Sequence, residues 1–331
     1  MRGDRGQYFT PPAAVRLMVD ILDPKEDETV LDPACGTGGF LRETLRHLLE
    51  KWRADEHTTG LPDNKEQLIK HQGDLAVYAK DHLFGADFDS SLARTAAMSV
   101  MMLSGEPGNI FYLDSLAFPN GQLAGVDEAG SRIPLGSVDV LMTNPPFGTD
   151  IKIEDPDILA AFRDGVARSW SRDKQTGELI VGVGEVGAMA PEELFIQRTV
   201  QWVLASVELP VETFIHEAGV NILTSLLFLK KKTDREIASE IIADEQPDYP
   251  VFMAVAEKVG IDRRGNPVYR RRPNGEVILE TRYEVQRVSV LGVDQEVRVP
   301  RKVRAIDDDL PLIAEAYKRF RAEHQEPGLK R

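Results

Sequence analysis

Val138-Asp139-Val140-Leu141-Met142-Thr143 runs straight into Asn144-Pro145-Pro146-Phe147-Gly148, and no other stretch narrows the possible folds as much. A short apolar, β-branched run reads as a buried strand. Two consecutive prolines stop it, because neither donates a backbone hydrogen bond and each fixes its own φ. In an open α/β sheet, the carboxyl end of such a strand is where ligands bind. An amide, a proline carbonyl on rigid backbone and an aromatic ring stand there. They suit a planar ring that bears an amine: Asn144 and the Pro145 carbonyl accept its two N–H bonds, and Phe147 stacks on it. The same residues also suit a Pro-Pro turn over a core phenylalanine, so this motif does not decide the matter alone.

A second motif is Thr29-Val30-Leu31-Asp32-Pro33-Ala34-Cys35-Gly36-Thr37-Gly38-Gly39-Phe40. A brief strand ends at Asp32, a glycine-rich turn follows, and a helical pattern begins with Phe40, Leu41, Thr44, Leu45 and Leu48. Glycines let a ligand approach the backbone, and the free N–H groups of a helix start favour a carboxylate. The spacing is G-x-G-G, not the G-x-G-x-x-G of dinucleotide sites. Third, His82–Ala86 reads as a strand ending in Asp87, with Phe88 and Asp89 next and a helix from about Ser90. An acid there can take both hydroxyls of a ribose, or be a plain turn residue. It lies well beyond the usual ~20-residue spacing from a glycine turn. The excess is the polar stretch Lys51–Asn64 plus a helical segment, read as an insertion.

The remaining pattern is α/β. Thr10 is expected to cap a helix with Pro11 at its first position and Val15, Met18, Val19 and Leu22 on one face. Ser90–Leu103 reads as a mostly buried helix and Asn109–Leu113 as the third strand. Residues 148–190, with four glycines between 177 and 187, read as a long mobile loop. Pro191–Leu204 reads as a helix with acids in its first turn, and Thr224–Leu229 as a strand. Further on, Tyr249–Val255 reads as a strand. Pro273-Asn274-Gly275-Glu276 reads as the turn of a hairpin between Val268–Arg272 and Val277–Leu279. A helix at Leu310–Ala322 closes the chain. The boundary is expected near residue 233, giving a main domain of 1–232 and an appendage of 233–331.

Gly6-Gln7-Tyr8-Phe9-Thr10-Pro11, the Asp32–Phe40 turn, Asp87, Asp114-Ser115 and Asn144–Phe147 occur in one order. With Pro191–Phe195, Thr224–Leu229 and Pro250–Glu257, they make the chain resemble, over nearly its whole length, the modification subunit of type I restriction–modification systems. That family is one of adenine-specific DNA methyltransferases. The resemblance implies a Rossmann-like, mostly parallel sheet with helices on both faces that binds S-adenosylmethionine, followed by a small C-terminal appendage. Tyr8, Phe9 and Thr10 would touch the cofactor's methionine end. Asp32, Pro33, Ala34, Cys35, Gly36, Thr37, Gly38 and Gly39 would pass beside that end. Asp87, followed by Phe88, would take the ribose, and Asp114 with Ser115 would lie near the cofactor's adenine. Asn144, Pro145, Pro146 and Phe147 would hold a target adenine flipped out of double-stranded DNA. A specificity subunit and a restriction subunit would be its partners.

Composition bears on that picture. A single cysteine, Cys35, excludes an internal disulfide framework, and its place in the turn suits a small apolar side chain better than a nucleophile. No signal peptide or membrane-length apolar run stands out, so a cytoplasmic enzyme is expected, with no metal site. A net charge of −14 over 331 residues is the wrong sign for an independent duplex binder. Either a partner supplies most of the DNA affinity, or the charge reflects a surface facing away from DNA. Arg263-Arg264 and Arg270-Arg271-Arg272 are candidates for nucleic-acid or subunit contact, or solvated hairpin charge.

Two departures from the family pattern are expected to matter. The chain begins almost at Gln7–Thr10, without the helical domain that precedes it in the family. Gln201–Leu204 runs directly into Ala205–Pro210, so a strand that should flank Val138–Thr143 is missing. The cofactor half is therefore expected to survive better than the second half. These departures leave a second reading open: a truncated, catalytically impaired relative that binds cofactor or partner subunits only. A third is a methyltransferase acting on protein glutamine or RNA, since the Asn-Pro-Pro-aromatic set suits those planar amines too. Phe147 in place of a tyrosine weighs against it.

Overall fold

Val30 and Leu31 are fully buried, and the strand they form is the one about which the first sheet is built. The computed structural model describes residues 10–56, 65–146, 152–162, 168–172, 179–183, 189–203, 211–216, 223–228, 252–256, 258–262, 266–290 and 293–323. The chain divides into two compact units. One comprises Met1–Thr10, Asp27–Arg42 and Ala79–Leu204, the other Pro11–Glu26, Glu43–Tyr78 and Ala205–Arg331. The units interleave along the chain, so segments from before and after residue 233 share the second.

In the first unit, β1 (Val30–Asp32), β2 (Leu83–Asp87), β3 (Asn109–Tyr112) and β4 (Val140–Leu141) form one sheet of order β3-β2-β1-β4. Every neighbouring pair is parallel. Burial on both faces explains why β1 and β2 are continuous rather than alternating apolar runs. Gly85 in β2 is a packing requirement. A Cβ there would lie 2.8 Å from Leu41 Cδ1 and 3.0 Å from Ile110 Cδ1. Two helices start in or close to this sheet: α2 (Gly39–Glu56) follows β1 through the glycine turn, and α4 (Ser90–Ser104) follows β2. Asp89 caps α4 by accepting from Ser91 N at 2.7 Å and Leu92 N at 3.3 Å, and Gly105 ends it at φ +84°. Between β2 and the polar stretch lies α3 (Lys65–Asp81), the helical part of the insertion.

The rest of this unit departs from the sequence reading in several places. A short helix, α5 (Val126–Arg132), stands between β3 and β4. Residues 148–190 are not one loop. They contain α6 (Pro156–Ala160) and an antiparallel hairpin of β5 (Arg168–Arg172) and β6 (Leu179–Val183), with Ile153 bridged to Met189. α7 (Pro191–Trp202) is as expected, but beyond β4 the described residues supply one parallel bridge only, Val138 to Val203. There the Val138 amide donates to the Trp202 carbonyl at 3.1 Å. Trp202 closes this edge. Its ring stacks on Phe118 at 5.0 Å, its indole N–H donates to Ile133 O, and it belongs to a core of Leu31, Phe84, Phe111 and Val138.

In the second unit, α1 (Pro12–Leu22) begins after Pro11 without any side-chain cap, so the capping expected of Thr10 is not made. Proline at the helix start removes one of the orphan N–H donors found there. The helix ends at Asp23 (φ +46°), whose carboxylate takes His47 Nε2 and Lys51 Nζ, both at 3.0 Å, and Lys25. A second sheet has order β8-β7-β9: β7 (Val211–His216) is antiparallel to β8 (Leu223–Phe228) and parallel to β9 (Met253–Ala256). The strand expected at Thr224–Leu229 thus stands here, and does not fill the place beside β4. The turn at Gly275 (φ +88°) forms as read, but it adjoins a much longer ribbon that the sequence reading missed: β10 (Leu279–Val290) against β11 (Val293–Arg304). The last helix, α8 (Leu310–Glu323), sets Tyr317 and Phe320 on Phe252 at 5.5 and 5.4 Å. Among the described residues, no helix is long and apolar enough to cross a membrane.

Trp202→Ala should destabilise the chain by about 3–5 kcal/mol through the cavity it leaves. Urea unfolding checks this; a loss below ~1 kcal/mol would mean the helix–sheet edge does not depend on that ring.

Candidate active site

β1, β2 and β3 follow one another to one side, and β4 then crosses to the other side of β1. That reversal makes a switch point between β1 and β4, and parallel α/β sheets bind ligands in the crevice at the carboxyl ends there. Leu31 pairs with Leu141, and the Met142 amide donates to the Leu31 carbonyl at 3.0 Å. One step further, Asp32 and the Thr143 hydroxyl are neighbours. The Asn144-Pro145-Pro146 segment therefore leaves the sheet beside the start of the glycine turn. Asn144 and Pro145 are half-buried and Pro146 is exposed. Phe147, Tyr8 and Phe9 lie outside the described residues; Thr10 is half-buried.

The glycine turn is fastened from three sides. Asp32 Oδ1 accepts from Ala34 N at 3.1 Å, and the Cys35 amide donates to the Ala86 carbonyl at 2.9 Å. Asp87 Oδ2 accepts from Gly36 N at 2.8 Å, while its Oδ1 accepts from Asp89 N at 2.8 Å. Ser115 Oγ, buried, donates to the Pro33 carbonyl at 2.5 Å. Gly36 (φ +54°) and Gly38 (φ +81°) hold the left-handed backbone that the turn requires. A side chain at Gly38 would press on Ala96 at 3.3 Å, whereas one at Gly36 or Gly39 would enter open space. Open space beside Gly36 and Gly39, at the start of α2, makes a cradle that favours an anion, as helix N-termini do. Phe88, 65% exposed at the end of β2, presents a bare ring.

Electrostatics give the cradle a second preference. Burial raises the Asp32 carboxyl to about 7, with the nearby Asp87 adding to the shift and the Ala34 amide and Thr143 opposing it. Burial also raises Asp87, against the Asp89 and Gly36 amides. Two acids reluctant to ionise together favour a cation beside them. Burial first, then these acids, push the Cys35 thiol far up, so it is no nucleophile.

One residue of this neighbourhood had no signal in the sequence beyond being a basic side chain on an amphipathic helix. Arg198 of α7 is 1% exposed. It donates to the Leu116 carbonyl at 2.8 Å and to Gln201 Oε1 at 2.7 Å, and lies 4.7 Å from the centre of the Phe162 ring. Burial lowers it to about 10, and the Asp114 carboxylate works the other way. Asp114 itself accepts from Leu116 N at 2.9 Å. Arg198 thereby holds the loop that carries Asp114 and Ser115.

Residues 1–174 match the N-6 DNA Methylase family. The chain belongs to that family. It is 29% identical over 178 residues to the methylase subunit of the type I restriction enzyme EcoEI of Escherichia coli, covering 53% of this chain and 28% of that protein. It is likewise 29% identical over 162 residues to the methylase subunit of the type I restriction enzyme MjaVII of Methanocaldococcus jannaschii, covering 47% and 22%. A modification subunit of a putative type I restriction enzyme from Vibrio vulnificus aligns in structure with a TM-score of 0.44 at 23% identity, over 81% of this chain and 50% of that one. This chain thus spans about a quarter of the length of the curated relatives it matches.

Asp32 generates a pH dependence. Its folded-state pKa of about 7 lies above the ~3.9 of an unfolded aspartate, so the folded chain holds the extra proton between those values. Stability should fall as pH rises from about 4 to about 7, by at most ~1.4 kcal/mol per unit from this group, and level off above. Asp32→Asn should flatten that slope in urea unfolding measured across pH; an unchanged slope would mean that Asp32 ionises normally.

Proposed function

We propose that this chain methylates DNA, transferring a methyl group from S-adenosylmethionine to the exocyclic amino group of a flipped adenine, as the modification subunit of a type I restriction–modification assembly. The carrying observation is the switch point itself: in a member of the N-6 DNA Methylase family, Asn144-Pro145-Pro146 and the Asp32–Gly39 turn emerge from adjacent, paired strands. The methyltransferase domain would take in residues 1–232, with 233–331 appended to it. Double-stranded DNA, a specificity subunit and a restriction subunit would be its partners.

The cradle fits the proposed cofactor on chemistry visible in this chain. Its carboxylate suits the start of α2, and its cationic groups suit the Asp32 and Asp87 carboxyls, whose shifts disfavour a bare double negative charge. Tyr8, Phe9 and Thr10 would complete the methionine end. Asp87 would take the ribose hydroxyls beside Phe88, and Asp114 and Ser115 would border the adenine. When bound, S-adenosylmethionine supplies a methyl group on an electron-poor sulfonium, so positioning carries most of the catalysis.

Asn144 and Pro145 do the positioning. An adenine amino nitrogen is a poor nucleophile while its lone pair is spread into the ring. Accepting both N–H bonds on the Asn144 amide oxygen and the Pro145 carbonyl favours a pyramidal nitrogen with the lone pair on one side. No strong base is then required. Pro146 stiffens the segment, and Phe147 stacks on the flipped base. That contact, worth ~1–3 kcal/mol, offsets part of the cost of unstacking.

A second reading, a cofactor-binding relative that does not methylate, draws support from the edge of the sheet. Among the described residues only the Val138–Val203 bridge lies beyond β4, the strand that carries Asn144. The two readings separate in one assay: the full chain, labelled S-adenosylmethionine and unmethylated duplex, with and without a specificity subunit encoded beside its gene. Label on adenine is expected, with kcat lowered about 10²–10³-fold in Asn144→Ala at unchanged cofactor affinity. Cofactor binding by calorimetry without label in DNA supports the second reading, and label on glutamine or RNA overturns both.

A further inference from the structure

For a chain of net charge −14, residues 266–284 and 299–304 have an unusual balance: seven arginines and lysines against three glutamates. They form the base of the β10–β11 ribbon and the short hairpin before it. The ribbon's twelve residue pairs have no third strand beside them among the described residues, so its width is that of two strands. Strands ~4.8 Å apart fit the ~12 Å major groove of a duplex, which admits a two-stranded β-ribbon.

The register argues that the charge has a use. Arg282 faces Arg301 directly across the ladder, an arrangement of like charges that weakens a hairpin. Pairing alternates sides, so Lys302 and Arg304 share one face with Tyr283, which is 67% exposed, while Arg282 and Arg301 share the other. The Lys302 and Arg304 face is therefore basic, whereas Arg282 and Arg301 share theirs with Glu280 and Glu284. Glu280 lies 2.7 Å from Arg282 and Glu276 lies 3.8 Å from Arg272. Other guanidinium groups are held without losing their charge: Arg271 donates to the Gly275 carbonyl at 2.9 Å, and Arg304 sits 5.3 Å over the Tyr269 ring. Positive charge held on one face of the ribbon, as by Lys302 and Arg304, is what phosphate recognition uses.

We propose that the β10–β11 ribbon is a contact surface for the phosphate backbone of duplex DNA. This rests on the reading of DNA as substrate and adds where the chain grips it, through residues other than those assigned to cofactor and base. It also reconciles an acidic chain with a polyanionic partner, because binding follows the local field and not the net charge.

The test is duplex binding by the full chain, followed by fluorescence anisotropy over a series of salt concentrations. Removing one cation that neutralises a phosphate should reduce the slope of log K against log salt by about 0.9. R301Q/K302Q/R304Q should therefore bind with a slope shallower by about 2–3, while K318Q/R319Q/R321Q, with the same change of charge on exposed positions of α8, should match the parent. Calorimetric cofactor affinity should be equal in all three. Should the triple variant not fold, K302Q alone should lower the slope by about 1. An unchanged slope, or an equal fall in both triples, overturns the proposal. So does loss of specificity-subunit capture at unchanged slope, which would make the ribbon a protein-docking face. Failure here with methyl label still on DNA removes only the ribbon; a lowered slope without label removes only the catalytic reading.

Discussion

The parallel pairing of β1 with β2 on one side and β4 on the other is the constraint from which the site follows. It aligns the ends of three strands, so that Asp87, Asp32 and Thr143 arrive at one edge although they are far apart in sequence. A one-residue slip in β4 would turn its side chains to opposite faces and shift Asn144 away from the crevice. β4 has just two residues in the ladder, and among the described residues its outer side rests on a single bridge to α7's end. Trp202 supports that edge by packing in the core that holds Val138, with Leu141 against it.

Around this edge the same groups serve structure and chemistry. The Asp87 carboxylate, proposed for a ribose, already fastens Gly36 and Asp89, and the Ser115 hydroxyl fastens Pro33. Each carboxylate oxygen keeps a further lone pair, so holding the turn does not forbid holding a ligand. The cost is two raised carboxyl pKa values in one place. A ligand with positive charge would relieve that cost.

The first three strands and the glycine turn were legible because buried parallel strands are plain apolar runs and because Gly, Asp and Pro punctuate them. The same holds for α4, whose cap is written as Asp89 and whose end is written as Gly105. What the sequence hid has physical reasons too. The β10–β11 ribbon is rich in charge and lacks the alternation of a half-buried strand, since both faces meet water at its base. α5 is only seven residues long, too short for a periodic signal. The glycines between 177 and 187 read as a loop, although Arg168–Arg172 and Leu179–Val183 pair as antiparallel strands. Arg198 was silent because a buried arginine looks like any other basic residue until its partners, Leu116 O and Phe162, are brought to it. That Val203, at the end of α7, would bridge to Val138 was not legible in the sequence.

The central claim is that methyl donor and target amine meet between the Asp32 turn and Asn144. Nuclear Overhauser contacts from S-adenosylmethionine carrying a ¹³C-labelled methyl, recorded on the full chain, test it most directly. The account predicts contacts from that methyl to the Asn144 side-chain amide and to protons of the glycine turn. Contacts confined to other parts of the chain, or to the turn with none to Asn144, would contradict it.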